Sequence, residues 1–575
     1  MKNSFMMNKR RILFTGIFAV ALAVISVIIG VLNINVSANL SDKEYSIDNM
    51  LSHVLAISEK EHSIYDEEAS EEVRSYISST LFSYGVENEI INHNGGYIWD
   101  EKNGEVIKYS PKNVYAEIKG ESGTSVLLIA HYDSCGYKVK YGEASDGSHG
   151  ALDDGYGVAA VLEFARIYSA QTNLKNGIKI ALVDAEEQGV VGSEALVNEY
   201  SEWLNDVNLV INVETRGNKG PLYLFQTSKN NSKIIEFYKN AGFPYTFSIA
   251  AKIYDMLPND TDLSPFLEKG YAGMNFAVLD SLKVYHNEKD NFSSVDAKSL
   301  SRYGDTFLPL LDEYTTNSKY SEPDYFKNGH ETLFFTLFPN ALVSYSAVTG
   351  WIFFGVIIAL VGAITAISVL KKKIDWKKLL ISIGVDFAFI IAVCGVGFLI
   401  ALIACAVSGV NYHIIFVTGV AFDGGILIIF ALLSIAAFVF ATLFKRKFKI
   451  GYSEMTLGGL IINALLAIVC AAVIFAGTFM FVIPVLLYSV AEIVKLFVKD
   501  GKIGTWIAAG ACAVATIFTV SAYISLFYSL YVSLTFGALG LITIFAVLPM
   551  TMCAPQICGL FNCATVEVKE EEAAV

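Results

Sequence analysis

The chain has 575 residues, of which 54% are hydrophobic and only 17% are charged, so it is too long for one ordinary domain and too apolar for an ordinary soluble protein. Its formal net charge of −14 argues against nucleic acid as a partner, because phosphate binding requires clustered lysine and arginine. The average conceals two halves, since residues 40–330 are mixed and acidic whereas residues 340–555 are almost continuously apolar. The composition therefore predicts a polar domain joined to a membrane domain.

The first predicted element is an apolar run from Ile12 to Leu32 that follows the basic segment "NKRR". About 20 apolar residues cross a hydrocarbon core of about 30 Å, and basic residues before them place the N-terminus in the cytoplasm. The segment "VSAN", which ends at Asn39, resembles a cleavage site, so a cleaved signal peptide is the alternative. We favour an uncleaved anchor over residues 1–39, because the run exceeds the usual signal-peptide core of about 7–15 residues. Both interpretations export the segment that follows.

Residues 40–320 alternate between strand and helix patterns. Apolar runs predict strands at 113–120, 125–134, 177–187, 207–217 and 271–280, the first two as neighbours, and helical spacing predicts helices at 44–59, 67–84, 156–169, 192–204, 231–242 and 294–314. This alternation indicates an α/β domain with a mostly parallel mixed sheet that is covered by helices on both faces.

The apolar half is predicted to cross the membrane several times. A juxtamembrane connector spans residues 321–345, about seven transmembrane helices follow within residues 346–555, and an acidic tail covers residues 556–575. The candidate spans lie near 347–370, 379–404, 424–444, 455–476, 479–494, 505–528 and 531–553. If the basic clusters between alternate spans are cytoplasmic, the polar domain lies outside and the tail inside.

Three carboxylates, Asp386, Asp423 and Glu492, lie in or near these spans without an evident basic partner. Charges inside a membrane can mark a transport path. Three scattered carboxylates favour anchoring or docking as the role of this half, with transport or partner binding as the alternative.

Acidic and histidine residues cluster where the predicted strands of the polar domain end. They are His131 and Asp133, Asp153 and Asp154, Glu186 and Glu187, Glu214, and His286. Open α/β sheets bind ligands at the carboxyl ends of their strands, and imidazole and carboxylate groups are zinc ligands. The pattern therefore predicts a metal site at one edge of the sheet.

These motifs resemble those of the co-catalytic di-zinc exopeptidases of metallopeptidase family 28, which includes leucyl aminopeptidases. The matching motifs are "HYD" at 131–133, "GALDD" at 150–154, "EE" at 186–187, "NVETRG" at 212–217 and "YHNEKD" at 285–290. The resemblance covers about residues 110–315 and implies the zinc exopeptidase fold. The segments "VETRGNKGPLYLFQT" and "LPNDTDLSPF", followed by several spans, look like the membrane-bound subgroup of endoplasmic reticulum metallopeptidases and fungal vacuolar membrane proteases.

The resemblance implies a role for each matching residue. Asp153 would bridge two Zn²⁺ ions, with Glu187 and His286 completing one site and His131 and Glu214 the other. The catalytic residues would be Glu186 as the general base and Asp133, which would accept the second imidazole N–H of His131 and fix its tautomer.

Three further residues are less specific. Asp262 in "NDTDLSPF" lies close to the site in the family pattern, but a turn or a cap is an equal alternative. We interpret His149, which adjoins "GALDD", as a loop residue rather than a sixth ligand. Arg216 could hold the glutamate loop or a substrate carboxylate.

The sequence thus predicts a multi-pass membrane aminopeptidase whose partners are peptide substrates and membrane lipid. A non-catalytic receptor or scaffold, and a single-zinc acyl transferase of the glutaminyl-cyclase type, are the alternatives. Cys135 is the only cysteine in the polar half, so that half has no internal disulfide. An exported domain without disulfides favours a bacterial cell membrane, with the catalytic domain outside; in a eukaryotic host that domain would be lumenal or vacuolar.

Overall fold

The computed structural model describes residues 2–34, 44–140, 143–145, 147–257, 259–338, 341–371, 374–415, 417, 419–420, 425–440, 447–497 and 502–560. The chain divides into two compact units, one of residues 33–347 and one of residues 1–32 with 348–575. The cleavage-site segment ending at Asn39, the carboxylate of Asp423 and tail residues 561–575 lie outside the described residues.

The polar unit is built on one mixed sheet. Its described strands are β1 (Asn88–Asn92), β2 (Gly96–Asp100), β3 (Glu105–Tyr109), β4 (Lys112–Ile118), β5 (Ser125–His131), β6 (Lys138–Lys140), β7 (Glu143–Ser145), β8 (Gly177–Val183), β9 (Val207–Thr215), β10 (Lys219–Thr227), β11 (Gly273–Asp280), β12 (Thr332–Phe338) and β13 (Ala341–Ser346). Seven of them form the sheet, in the order β1-β4-β8-β5-β9-β11-β10. Strands β8, β5, β9 and β11 are mutually parallel, and β1, β4 and β10 pair antiparallel. The predicted mixed α/β sheet is confirmed, with its parallel pairs confined to the four central strands.

The two strands predicted as neighbours are separated by a third. Strand β8 lies between β4 and β5, pairing antiparallel with β4 and parallel with β5. That prediction was wrong because an apolar run predicts that a strand is buried, whereas it carries no information about which strand lies beside it.

Helices cover both faces of this sheet. The described α-helices before residue 347 begin with α1 (Lys2–Ile34), most of which belongs to the other unit. Those of the polar unit are α2 (Ile47–Ile57), α3 (Glu67–Ser83), α4 (Gly155–Ser169), α5 (Val191–Glu199), α6 (Ser232–Tyr238), α7 (Ser248–Tyr254), α8 (Ser264–Glu268) and α9 (Ala297–Thr316). Alternate side chains of β5 enter opposite cores: Val126 and Leu128 join a cluster with α2, α3, α4 and α9, whereas Leu127 and Ile129 join one with α5 and α8. Alternation along a strand therefore produces two hydrophobic layers on one sheet.

Residues 321–345, suggested by the sequence as a connector, contain the β12–β13 hairpin. This hairpin packs within the polar unit, since Phe335 bridges to Phe247 and the Thr336 amide donates to the Thr246 carbonyl at 2.9 Å. The ring of Phe326 stacks on Tyr320 at 5.5 Å and is fully buried. The aromatic and β-branched residues of this segment are what bury it against the domain.

The membrane unit contains helices that are long enough and apolar enough to cross a bilayer. Among the described residues they are Leu13–Ile34, Ala347–Leu370, Trp376–Ser408, Tyr452–Val473, Phe475–Phe497, Ile503–Leu534 and Phe536–Leu560. A shorter apolar helix, Ile426–Val439, corresponds to the predicted span at 424–444, and residues 441–446 lie outside the described part of the chain. These helices match the predicted positions of the spans.

One carboxylate of this unit has a basic partner that was not predicted. Lys495 Nζ lies 3.2 Å from both carboxylate oxygens of Glu492, one helical turn earlier. The prediction that Glu492 lacks such a partner was wrong, because residues three apart on a helix face each other.

Candidate metal centre

The sheet brings the predicted ligands to one edge. His131 is the last residue of β5, Glu214 is the next-to-last residue of β9, and Glu186 and Glu187 follow the end of β8. Because these strands are parallel, their carboxyl ends lie side by side. Asp153 enters the same site from the turn that leads into α4.

Asp153 lies at the centre of this site. Its Oδ1 is 3.3 Å from Nε2 of His131, and its Oδ2 is 3.2 Å from Nε2 of His286. Nε2 of His286 is 3.0 Å from Oε1 of Glu187, and Nε2 of His131 is 4.0 Å from Oε1 of Glu214. One carboxylate therefore separates two groups of donors, and all five predicted ligands are brought together.

Two sets of metal-ligating side chains occur here within the described residues. His131, Asp153 and Glu214 form one set, and Glu187, His286 and Cys135 form the other; in each set the donor atoms lie within 4.8 Å of one another. Cys135 was not among the predicted ligands. Its position two residues after Asp133 indicates a candidate ligand only when the end of β5 is known to face the site.

The donors fit a divalent cation. Oδ2 of Asp153 and Oε1 of Glu187 are buried, and although Nε2 of His286 lies 3.2 and 3.0 Å away, neither oxygen has a partner with hydrogen-bond geometry among the described residues. A buried acceptor without a partner costs about 1–3 kcal/mol, and more when it is charged. Imidazole and carboxylate groups are the ligands of catalytic zinc, so these atoms suit that ion and would be satisfied by it.

The carboxylates of the site influence one another's protonation. Burial raises the pKa of Glu214 to about 7, against the charge of His131. Burial and the charge of Glu214 raise the pKa of Glu186 well above its usual value. Burial alone would also raise the pKa of Glu187, but the charges of His286 and Lys138 outweigh it and hold that pKa well below the usual range.

Asp133 connects His131 to the glutamate pair. Its carboxylate accepts the backbone N–H of Glu186 at 3.0 Å and that of Glu187 at 3.2 Å. Nδ1 of His131 lies 3.0 Å from the carbonyl oxygen of Asp133 and 3.4 Å from its carboxylate. The Asp133 carboxylate thus fixes the loop that carries the glutamates, whereas the nearest acceptor for Nδ1 of His131 is the Asp133 carbonyl rather than the carboxylate that was predicted to orient the imidazole.

Three other residues position ligands without having been predicted to do so. Asp290 accepts the backbone N–H of Leu152 at 2.7 Å and of Asp153 at 3.4 Å. Asn212 donates to Oε2 of Glu214 at 3.0 Å, and Lys138 donates to Oε2 of Glu187 at 2.6 Å. Asp290 ends the "YHNEKD" motif, which was the available signal for it; Lys138 stands in a hairpin that has no motif.

The backbone at the site is held in an uncommon conformation. Ala185, which precedes the glutamate pair, and His286 each have φ of +57°. Left-handed backbone costs about 1–3 kcal/mol for a residue with a side chain and occurs preferentially at functional sites.

The remaining candidates are also located. Asp262 is fully buried, neither of its oxygens accepts a hydrogen bond among the described residues, and burial raises its pKa to about 8. The following helix has no side-chain cap, so the cap alternative for Asp262 is not supported. His149 lies in the loop before α4, with Nδ1 3.1 Å from the Ser58 carbonyl, as predicted for a loop residue.

The fold and the donors define an α/β domain with a candidate metal centre at the strand ends. Residues 113–311 match Peptidase family M28, and the domain that they form belongs to this family, as predicted. The chain thus combines a segment that matches this peptidase family with apolar helices long enough to cross a membrane.

Two curated relatives of the chain are named as a membrane protease and as a metallopeptidase. The chain is 25% identical over 243 residues to the vacuolar membrane protease of Candida dubliniensis, covering 41% of this chain and 25% of the relative. It is 23% identical over 443 residues to endoplasmic reticulum metallopeptidase 1 of Mus musculus, covering 73% of this chain and 46% of the relative. The chain thus spans from a quarter to about half of the length of these relatives.

Solved structures are also similar to about half of the chain. A Zn-dependent exopeptidase from Parabacteroides distasonis has 18% identity and a TM-score of 0.37, covering 48% of this chain and 100% of that structure. Glutaminyl cyclase from Porphyromonas gingivalis has 20% identity and a TM-score of 0.36, covering 48% of this chain and 99% of that structure.

Proposed function

We propose that this protein is a membrane-anchored, zinc-dependent exopeptidase that removes N-terminal residues from peptides. The observation that carries the proposal is the carboxylate of Asp153, whose two oxygens face two separate imidazoles at 3.3 and 3.2 Å. Two zinc ions would be held, with Asp153 shared, Glu187 and His286 on one side, and His131 and Glu214 on the other.

When bound, the zinc ions would polarise the scissile carbonyl and lower the pKa of a water molecule towards about 7. Glu186 is the general base that removes a proton from the attacking water and delivers it to the leaving amine. Its backbone is fixed by Asp133, and its carboxylate forms no hydrogen bond with any described residue, which leaves it available. Burial raises the pKa of Glu186, which strengthens it as a proton acceptor.

The proposal places the peptidase domain outside a bacterial cell membrane. It is supported by the basic segment before the first apolar helix, which indicates a cytoplasmic N-terminus, and by the absence of a second cysteine in the polar half of the sequence. The membrane unit then anchors or docks the enzyme beside the lipid.

The test uses the full chain in detergent, supplied with zinc and assayed on amino-acid amides and short peptides. Glu186→Gln is expected to lower kcat by about 10²–10⁴-fold while zinc content stays at two per chain, because Glu186 moves a proton and holds no metal. Glu202→Gln, at an exposed glutamate, is the matched control.

The alternatives give different results in the same assay. A fully active Glu186→Gln variant would refute the assigned mechanism. A stoichiometry of one zinc with cyclisation of N-terminal glutamine would indicate the acyl transferase, and a metal content near zero without hydrolysis would indicate a receptor or scaffold.

A further inference from the structure

Arg216 carries a positive charge beside the proposed metal centre. It stands two residues after Glu214, and its backbone N–H donates to the Val278 carbonyl at 3.0 Å. Its guanidinium carbon lies 5.6 Å from the centre of the Tyr285 ring. That ring stacks on the imidazole of His286 at 3.5 Å, so the guanidinium and a predicted ligand both lie against the same aromatic ring.

This guanidinium forms no direct ion pair among the described residues, although the charges of Glu214 and Asp153 act on it and favour its charged form. Nε of Arg216 is buried without an acceptor, and no carboxylate in the described part of the chain forms an ion pair with the side chain. By contrast, Arg74 pairs with Glu71 and Arg166 pairs with Glu163, each at 2.6 Å. A buried charged donor without an acceptor is unfavourable, so Nε of Arg216 suits an acceptor from outside the chain.

A second unpartnered donor belongs to the same neighbourhood. Tyr254 on α7 is only 9% exposed, and its hydroxyl is buried without a hydrogen-bond partner among the described residues. Its ring is fixed by an edge contact with Phe225 at 4.7 Å. Burial raises the pKa of Tyr254, and the charge of Arg216 opposes that rise, which places the hydroxyl within electrostatic range of the guanidinium.

The two donors select a particular chemistry. A guanidinium offers several N–H groups in a plane and accepts nothing, and it binds carboxylates with two parallel hydrogen bonds. A phenol O–H adds a further donor. The carboxylates that a peptide substrate offers are its free C-terminus and any acidic side chain. Because one extended residue spans only about 3.5 Å, a carboxylate bound beside the metal centre must lie close to the scissile bond.

We propose that Arg216 and Tyr254 form a carboxylate-binding subsite beside the metal centre, and that the preferred substrates are peptides with a carboxylate next to the scissile bond. This inference rests on the proposed function, because it assumes that the site hydrolyses peptides. It narrows the substrate class to dipeptide-like molecules with a free C-terminus or peptides with an acidic first residue.

The test compares matched substrates on the zinc-loaded full chain in detergent. Leu-Gly is compared with Leu-Gly amide, and glutamate amide with glutamine amide. In at least one pair we expect kcat/KM for the acid to exceed that for the neutral substrate by about tenfold or more. A hydrogen bond to a charged group contributes a difference of this size, and we expect it to appear mainly in KM.

Two variants locate that preference. Arg216→Gln is expected to reduce the acid-to-neutral ratio to about one, and Arg216→Lys to restore part of it, since lysine keeps the charge without the planar fork. Tyr254→Phe keeps the ring and is expected to lower the ratio a few-fold. Lys219→Gln, at an exposed cation on β10, is the control and should keep the ratio.

The outcomes separate the two proposals. Equal hydrolysis of acid and neutral substrates by the unaltered chain, or a ratio that survives Arg216→Gln, would overturn the subsite and leave the peptidase function standing. An equal loss on all four substrates would show that Arg216 only balances the charge of the ligands, which also overturns the subsite. No hydrolysis of any substrate by the zinc-loaded chain would overturn the proposed function, and the subsite with it.

Discussion

At the scale of single residues, Asp153 determines whether the two donor sets act as one site. Its oxygens lie 3.3 Å from His131 and 3.2 Å from His286, and its backbone is held through Asp290. A carboxylate shared in this way provides both sets with a negatively charged donor. Removing that carboxylate should therefore affect both sets.

Asp153→Asn is expected to abolish binding of both zinc ions, because an amide supplies one weak oxygen donor where two anionic ones are needed. Metal content measured after dialysis of the purified chain should fall from two to below one per chain. Asp260→Asn, at an exposed aspartate, should keep both. Retention of one full equivalent by Asp153→Asn would show that the two sets bind metal independently.

Asp133→Asn tests a positioning role. The variant retains one side-chain acceptor for the Glu186 and Glu187 amides, which now lie 3.0 and 3.2 Å from two carboxylate oxygens. We expect kcat to fall about 10–100-fold, as when an outer carboxylate of a metal site is altered, while two zinc ions remain. An unchanged kcat together with an unchanged zinc affinity would exclude this role.

The residues that the sequence could predict are those whose chemistry follows from a motif. His131, Asp153, Glu187, Glu214 and His286 all lie at the site because strand ends and turns carry them there. Cys135 and Lys138 could not be predicted, since their proximity to Glu187 depends on the path of the chain after β5. Patterns along the sequence predict which atoms are available, whereas distances across the site require the fold.

At the scale of elements, α4 must approach β9 closely for Asp153 and Glu214 to meet. Gly157 in the first turn of α4 makes that approach possible, because a Cβ there would collide with the Val213 carbonyl and with the Asp154 carboxylate. Asp154 caps the same helix by accepting the Gly157 amide at 3.1 Å. The sequence predicted this helix, but β8 between β4 and β5 could not be predicted, because strand order is set by pairing in three dimensions.

Gly157→Ala is therefore expected to destabilise the domain by about 1–3 kcal/mol, as overpacking of a core does, and to weaken zinc binding. Thermal unfolding of the full chain in detergent, with zinc content measured in parallel, provides the check. Gly96→Ala is the matched control, since a Cβ at that position has its nearest neighbour at 3.9 Å. Equal melting temperatures for the two variants would show that α4 can move away from β9 without loss.

At the scale of the whole molecule, the division into two units follows the division in composition. The polar unit ends near residue 347, where the apolar helices begin. The first apolar helix is grouped with the later ones even though the entire polar unit separates them along the chain. This grouping bears on whether the first helix is an anchor or a signal peptide.

The contacts within the membrane unit favour an anchor that is retained. Gly30 is packed so closely that a Cβ would lie 2.8 Å from Ile524, and Ser525 Oγ donates to the Gly30 carbonyl at 3.3 Å. Small residues at such crossings let transmembrane helices pack tightly. An N-terminal epitope tag is therefore expected to remain on the purified full-size protein, and Gly30→Leu to lower its thermal stability relative to Gly16→Leu, where the space is open. If the tag is lost and the mass of the protein decreases by that of the first apolar segment, this helix is removed and the remaining spans hold the enzyme in the membrane.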